Sequence, residues 1–386
     1  MINLNLLQKK IFLVLSVLVL FCIGYENSYS IEPKDNENQI LISKMKAAVD
    51  SVLKAAADSM LNNTKVPGLV ALVFDRNKGI EWIYEAGYSN IPEKLPMNRD
   101  YTFRIGSNTK TIVVTVLLQL VDEGKVSLYD KLSKYFPEYP KADQVTVEML
   151  ANMTSGIFNY TNDEEFWNEM MANPTKVLTP DELIEIGLFK HGYNFEPGEK
   201  FEYSNTNTII IGKIIEKVTG NSLENEINNR IIQLLQLTKT GFLTSGLDFP
   251  GPHPRGYYAG EYEPDFDVTT LCDISWAWAA GSAYSTPFEL QKYVQTLVGG
   301  GFISDSLQQK RLNDVRMIND ISGYGIGILK RGSFYGHNGG LPGFTSSMYH
   351  SNLRNTTIII YFNSQLPEIP DVLFFKIAEI LYGKDF

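Results

Sequence analysis

Strand-like segments occur at both ends of this chain and the stretch between them is mostly helical, so any sheet must be assembled from residues far apart in sequence. Near the amino end, Leu69–Asp75 and Ile80–Glu85 read as strands joined by the turn Arg76-Asn77-Lys78-Gly79. After position 320 the signature returns: Tyr324–Leu329, Ser333–Gly336, Ser346–His350 and Thr356–Phe362 alternate with turns, and Asp371–Tyr382 reads as a closing helix. Between about 125 and 300 the segments are mainly helical, broken at Pro137, Pro140, Pro174, Pro180 and Pro197-Gly198. Ile40–Leu61 has apolar residues at helical spacing, and Thr109–Glu123 is a long apolar helix stopped by Gly124. The expected fold is α/β of the α+β type: a largely antiparallel sheet from both chain ends, flanked by terminal helices, with an inserted, mostly helical subdomain at about 125–300. With 386 residues, 44% of them hydrophobic, the chain can bury a large core, and residues 41–386 are expected to form one domain.

The first thirty residues are expected to lie outside that fold. Lys9-Lys10 precede an unbroken apolar run, Ile11–Ile23, followed by polar residues and Ser28-Tyr29-Ser30, the pattern of a secretory signal cleaved after Ser30. The run is short against the about 20 residues that a membrane span needs. Membrane attachment would therefore require the segment to be retained, or lipidated at Cys22, where the preceding Phe21 is bulkier than lipidation favours. An exported protein, periplasmic or secreted, is the expectation, with residues 31–40 as a flexible polar lead. Cleavage leaves Cys272 as the lone cysteine, so no internal disulfide is available. The formal net charge is −10 with no Lys/Arg block, which argues against a nucleic-acid partner. The four histidines show no paired spacing, so neither a metal site nor a cofactor is expected.

Three short elements carry chemistry. In Phe103-Arg104-Ile105-Gly106-Ser107-Asn108-Thr109-Lys110, a Ser-x-x-Lys pair opens an apolar helix, which puts both side chains on one face and the serine near the helix dipole. The lysine can lower the pKa of neighbouring groups, or act as a base if its own pKa falls. The same tetrad occurs at Ser43–Lys46 and Ser51–Lys54, inside the first expected helix, so setting rather than spacing singles out Ser107. Tyr203-Ser204-Asn205 sits between Phe195-Glu196-Pro197-Gly198 and the apolar helix Thr208–Val218, where a phenol can face the serine. Beside cations or donors its pKa is expected to drop enough for it to shuttle the serine proton. Gly336-His337-Asn338-Gly339-Gly340 is a strand edge of small residues, along which a substrate backbone can lie and from which an N–H can face an oxyanion.

In this order and these settings the motifs resemble those of the serine penicillin-recognising enzymes, class C β-lactamase-like branch, and are most similar to D-alanyl-D-alanine carboxypeptidases. Linking text agrees: Met153-Thr154-Ser155-Gly156, Tyr160-Thr161-Asn162-Asp163, Ser275-Trp276-Ala277 with Ala280-Gly281, and Tyr324-Gly325-Ile326-Gly327. The resemblance implies a β-lactamase/transpeptidase-like fold, acylation of Ser107, and proton transfer by Lys110 and Tyr203. It implies that Asn205 positions Lys110 and the substrate amide, that His337 takes the place of a lysine, and that the N–H groups of Ser107 and Gly340 form the oxyanion hole. Trp276 and Phe166 are expected at the pocket wall or in the core, and Asn338 and Gly339 along the substrate. Small peptides derived from peptidoglycan are the expected substrates, and β-lactams the expected acylating inhibitors. Two departures matter. Where such carboxypeptidases carry an arginine for the substrate's carboxylate, this chain has Leu329, and Lys330 beside it should face the other way, though a slip of one position would restore Arg or Lys. Hydroxyl residues expected in and just after His-x-Gly are replaced by Asn338 and Gly340. Carboxypeptidase action therefore stands first, then an esterase, amidase or D-aminopeptidase, then a β-lactamase, then a catalytically silent sensor.

Overall fold

The computed structural model describes residues 36–59, 68–258, 266–365 and 368–386. The expected signal at 1–30 lies outside them, as do residues 31–35. The remainder of the expected lead is not irregular: α1 (Asn36–Ser59) begins at Asn36, so the polar residues before Ile40 form the helix's first turn, with Glu37 near its positive end. Among the described residues no helix is long and apolar enough to cross a membrane.

The amino end also supplies β1 (Gly68–Asp75), β2 (Ile80–Asn90) and β3 (Leu95–Pro96); β2 continues past the expected end at Glu85 to pair with β3. The middle holds β4 (Phe103–Arg104), α2 (Thr109–Asp122), α3 (Glu164–Ala172), α4 (Asn205–Thr219), β5 (Gly241–Phe242), β6 (Ala283–Ser285), α5 (Pro287–Gly299) and α6 (Asp305–Asn313). The carboxyl end adds β7 (Arg316–Met317), β8 (Ser322–Tyr324), β9 (Leu329–Arg331), β10 (Phe334–Leu341), β11 (Phe344–Ser351), β12 (Thr356–Phe362) and α7 (Ile369–Tyr382). The strand expected over Tyr324–Leu329 is in fact two, because Gly325 N–H bonds back to Ile328 O at 2.8 Å and reverses the chain between β8 and β9.

The nine-stranded sheet has the order β3-β2-β1-β12-β11-β10-β9-β8-β7, every pair antiparallel. Amino and carboxyl ends meet at its centre, where Leu69 pairs with Phe362 and Asp75 with Thr356. Both central strands are apolar at nearly every position because both sheet faces are covered. Leu69, Ala71 and Val73, with Ile358 and Ile360, pack against Met45 and Val49 of α1 and Leu373 and Ile377 of α7. Val70, Leu72, Ile359 and Tyr361 face the middle region, packing into the same core as Val113 and Leu117 of α2 and Ile210 and Ile214 of α4. α2 is apolar on all sides and buried almost throughout, as a helix at the centre of a core must be.

A second sheet, β4-β6-β5, was not legible in the mainly helical middle. Its strands are two or three residues long, too short for a periodic pattern, yet it aims the chain at the site. Phe103 pairs with Ser285, and Ile105 N–H bonds Ala283 O at 3.0 Å, just before the chain turns into α2.

Candidate active site

Ser107 lies in a 3₁₀ turn, Gly106–Asn108, that runs directly into α2. Two glycines let this turn touch β10. A Cβ on Gly106, which has φ +53°, would stand 2.6 Å from Gly340 N, and one on Gly339 would stand 2.0 Å from Ile105 O. Both approaches are closer than any side chain allows, so the backbone of the serine turn and that of Gly340 are brought together by the absence of side chains. Asn108 locks the contact: its Nδ2 donates to Ile105 O at 2.7 Å and to Ser346 Oγ at 2.8 Å on β11.

One turn along, Lys110 is fully buried and no carboxylate is among its partners. Its Nζ is 3.0 Å from Ser107 Oγ, donates to Ala280 O at 2.7 Å and lies over the Tyr203 ring, 4.9 Å from its centroid. Burial holds its pKa well below the ordinary lysine value, which shifts the balance toward the neutral amine, with a lone pair for the serine proton. Tyr203 behaves opposite to the sequence expectation. Burial raises its pKa above that of free tyrosine, and the lowering contribution of its bond to Ser107 is smaller. The phenol is therefore a resting proton donor, because it is desolvated and no full cation opposes that.

Tyr203 and Asn205 reach this place through a zipper between the 153–162 loop and the start of α4. Ser155 Oγ donates to Asn207 Oδ1 at 2.6 Å, Tyr160 N–H to Thr206 Oγ1 at 3.1 Å, and Asn205 N–H to Asn159 Oδ1 at 3.0 Å. The Asn205 side chain donates to Thr161 Oγ1 at 2.9 Å, and the Ala280 carbonyl, not Asn205, is the second partner of Lys110. Positioning of Lys110 by Asn205 is thus corrected; Asn205 instead lines the cavity in front of Ser107.

His337 is buried, with Nδ1 2.5 Å from Asn338 O and Nε2 3.3 Å from the Tyr324 hydroxyl. A carbonyl facing Nδ1 requires a proton there, so Nε2 accepts from Tyr324. Burial, the largest cause, lowers its pKa to about 3. His337 fills the position of a lysine in the motif but is held neutral, so it does not bring a lysine's charge. Beyond it the strand is open: β9 pairs with β10 only over Phe334–Gly336, whereas β11 pairs with it from Tyr335 to Leu341. Asn338, Gly339 and Gly340 thus form a strand edge beside Ser107.

Two cavities meet at Ser107 and Gly340. The larger, about 630 Å³, is lined by Trp276, Asn205, Trp167 and Leu341 among others. The smaller, about 330 Å³, is lined by Tyr203, Tyr324, Leu329, Arg331, Asn338 and Gly339. Trp276 is thus a wall residue, whereas Phe166 is not. It is buried behind the wall, edge-on to Tyr160 and Trp167, and its neighbour Trp167 faces the cavity. Lys330 turns away from Leu329, toward the Tyr335 ring, as strand alternation requires. Arg331, two residues past Leu329, does line the smaller cavity, but its guanidinium pairs with Asp371 of α7 at 3.3 Å. The same carboxylate accepts from Asn338 Nδ2 at 2.8 Å and from the Tyr349 hydroxyl at 3.2 Å. Sequence reading missed Asp371, since no local pattern announces a contact that the sheet alone creates. Among the described residues no cluster of His, Cys, Asp and Glu could hold a metal ion.

Known proteins resemble this chain in sequence and fold. A family model described as Beta-lactamase matches residues 49–381. A putative penicillin-binding protein, PbpX, of Bacillus subtilis is 28% identical over 280 residues, 72% of this chain and 66% of that relative's length. The solved D-stereospecific amidohydrolase from Streptomyces sp. is 30% identical with a TM-score of 0.76, over 88% of this chain and 99% of that one. D-amino acid amidase from Ochrobactrum anthropi SV3, complexed with L-phenylalanine amide, is 27% identical with a TM-score of 0.73, over 88% and 98%. A family match that takes in the whole two-ended sheet and the serine turn seated against β10 makes this chain a serine hydrolase of the Beta-lactamase family.

Proposed function

We propose that this protein hydrolyses amides or esters with uncharged leaving groups through an acyl-enzyme at Ser107. In this mechanism neutral Lys110 takes the proton from Ser107 Oγ as the oxygen bonds to the acyl carbon. The N–H groups of Ser107 and Gly340 hold the oxyanion. Tyr203 gives its proton to the departing nitrogen or oxygen as that bond breaks, and protonated Lys110 restores it. Water then attacks the ester, its proton passes to the same base, and Ser107 Oγ regains a proton as the acid leaves. His337, neutral and bonded at both nitrogens, stiffens β10 and takes no proton.

The observation that carries the choice of substrate is the pairing of Arg331 with Asp371. Leu329 cannot bind a carboxylate, and the nearest cation in the smaller cavity is already paired with the part-buried Asp371. A free carboxylate on the leaving group would have to break that pair, whereas a carboxamide or ester would not. Likeness to a D-stereospecific amidohydrolase and a D-amino acid amidase supports the same reading, which moves ahead of strict D-alanyl-D-alanine carboxypeptidase action. β-Lactams remain expected acylating inhibitors.

The test is turnover of an N-acylated D-aminoacyl amide beside the N-acylated D-Ala-D-Ala peptide and its C-terminal amide, with Ser107→Ala as the control. The amides should be cut faster than the free acid. Preference for the free acid would restore the carboxypeptidase, and no turnover with no acylation would leave a silent binder. Export is proposed alongside: the mature chain should begin at Ile31, and sequencing the amino end of secreted protein checks it.

A further inference from the structure

The larger cavity beside Ser107 carries more information than its size. Among the described residues none of its lining is Asp, Glu, Lys or Arg. Its walls are Trp167, Trp276, Val268, Leu271 and Leu341, with Met171 half-exposed at the mouth. Tyr160 adds its ring but not its hydroxyl, which is spent on Trp276 O at 2.6 Å. Trp167 and Trp276 meet edge to face, centroids 5.1 Å apart, so further ring edges and faces can pack against them.

Which half of a substrate enters follows from the proton donor. Tyr203 lines only the smaller cavity, and the group that protonates the leaving atom must stand beside it. The leaving group thus departs on the Tyr203 side, and the acyl group remains in the larger cavity throughout. A charged acyl substituent there would lose its water and meet no opposite charge among the described lining residues, only uncharged groups such as Asn205, Thr161 and Gln365, while an apolar one gains by burial.

We infer that the acyl specificity of this enzyme is for uncharged groups bearing an aromatic ring, of arylalkanoyl size, held between the Trp167–Trp276 wall and Leu271. This rests on the acyl-enzyme reading above. A volume of about 630 Å³ is ample for a phenylpropanoyl group and far larger than acetyl or alanyl needs.

The experiment varies only the acyl half: p-nitrophenyl acetate, butyrate, 3-phenylpropanoate, hemisuccinate and 6-aminohexanoate, compared by kcat/KM on the full chain. The phenylpropanoate should exceed the acetate about 100-fold, from the burial of a benzyl-sized group, with both charged esters below butyrate. In Leu271→Asp the phenylpropanoate-to-acetate ratio should fall at least about tenfold. The wild-type series decides the matter even if that variant does not fold. Equal rates for acetate and phenylpropanoate, or a preference for either charged ester, would overturn the inference and leave the hydrolase intact. If no ester is turned over and a fluorophosphonate fails to label Ser107, the acyl-enzyme reading falls and takes this inference with it.

Discussion

Two fully buried cations lie along the same helix and meet opposite fates. Lys110, in the first turn of α2, has one hydroxyl and one carbonyl as partners, and burial lowers its pKa well below the ordinary lysine value. Arg311 of α6, equally buried, donates to Thr115 Oγ1 at 2.8 Å, to Thr111 O at 3.3 Å and to Gly327 O at 3.5 Å. Burial lowers its pKa only to about 10, so it stays charged at neutral pH. Among the described residues neither faces a carboxylate. The difference lies in the groups themselves: a guanidinium is delocalised and weakly hydrated and holds its proton, while an ammonium loses its proton when dried. The first end of α2 is built to titrate, and the next two turns are braced by a charge that does not.

The largest effect should come from exchanging the two chemistries. Lys110→Arg puts a permanent cation beside Ser107, and kcat/KM for an activated ester should fall about 10³-fold, or about 4 kcal/mol. A residual rate near wild type would mean that another group is the base. In the wild type, kcat/KM should rise with pH through the lowered Lys110 pKa, tenfold per unit below it, because only the deprotonated amine accepts the proton. Tyr203→Phe removes the proton donor and should cost about 10²-fold with an amide substrate, and less with a p-nitrophenyl ester whose leaving group needs no proton. Equal losses on both substrates would count against leaving-group protonation.

Arg311→Met should leave the chemistry in place and cost about 2 kcal/mol of stability, read by urea unfolding, since two carbonyls and a hydroxyl lose a charged donor. The smallest effect has the opposite sign. Lys110→Met should stabilise the fold by about 1 kcal/mol while abolishing turnover, because it deletes a desolvated amine. Between the folded-state pKa of Lys110 and about 10.4, the unfolded chain binds a proton that the folded one does not. Wild-type stability therefore rises with pH across that window, and the advantage of the methionine variant should shrink as pH rises. An advantage independent of pH would show that Lys110 keeps its proton when folded.

What could be read in advance divides along similar lines. β12, β1 and α2 were legible because a buried strand or helix is continuously apolar, and burial on both sides is what the pattern records. The serine turn was legible because three individually common motifs occurred in order, each in a fitting setting. Properties set by surroundings were not: Tyr203 was expected to have a lowered pKa, yet desolvation, which no tripeptide reveals, raises it. Phe166 and Trp167 differ by one helical position, and only the seating of α3 decides which faces the cavity. Asp371 stands 33 residues from Asn338 and 40 from Arg331, and folding alone brings them together.

The pairing of β1 with β12 also fixes when activity can appear. Nucleophile and base are encoded early in the chain, but the strand edge that must meet Ser107 is encoded more than two hundred residues later, Asn108 bonding Ser346 across 238 positions. A nascent chain that stops short of β10 carries Ser107 and Lys110 without Gly340 beside them. Such long-range closure is slow and comes last in assembly. The topology thus acts as a timer, keeping the serine unarmed until β10 and β11 have been made and paired.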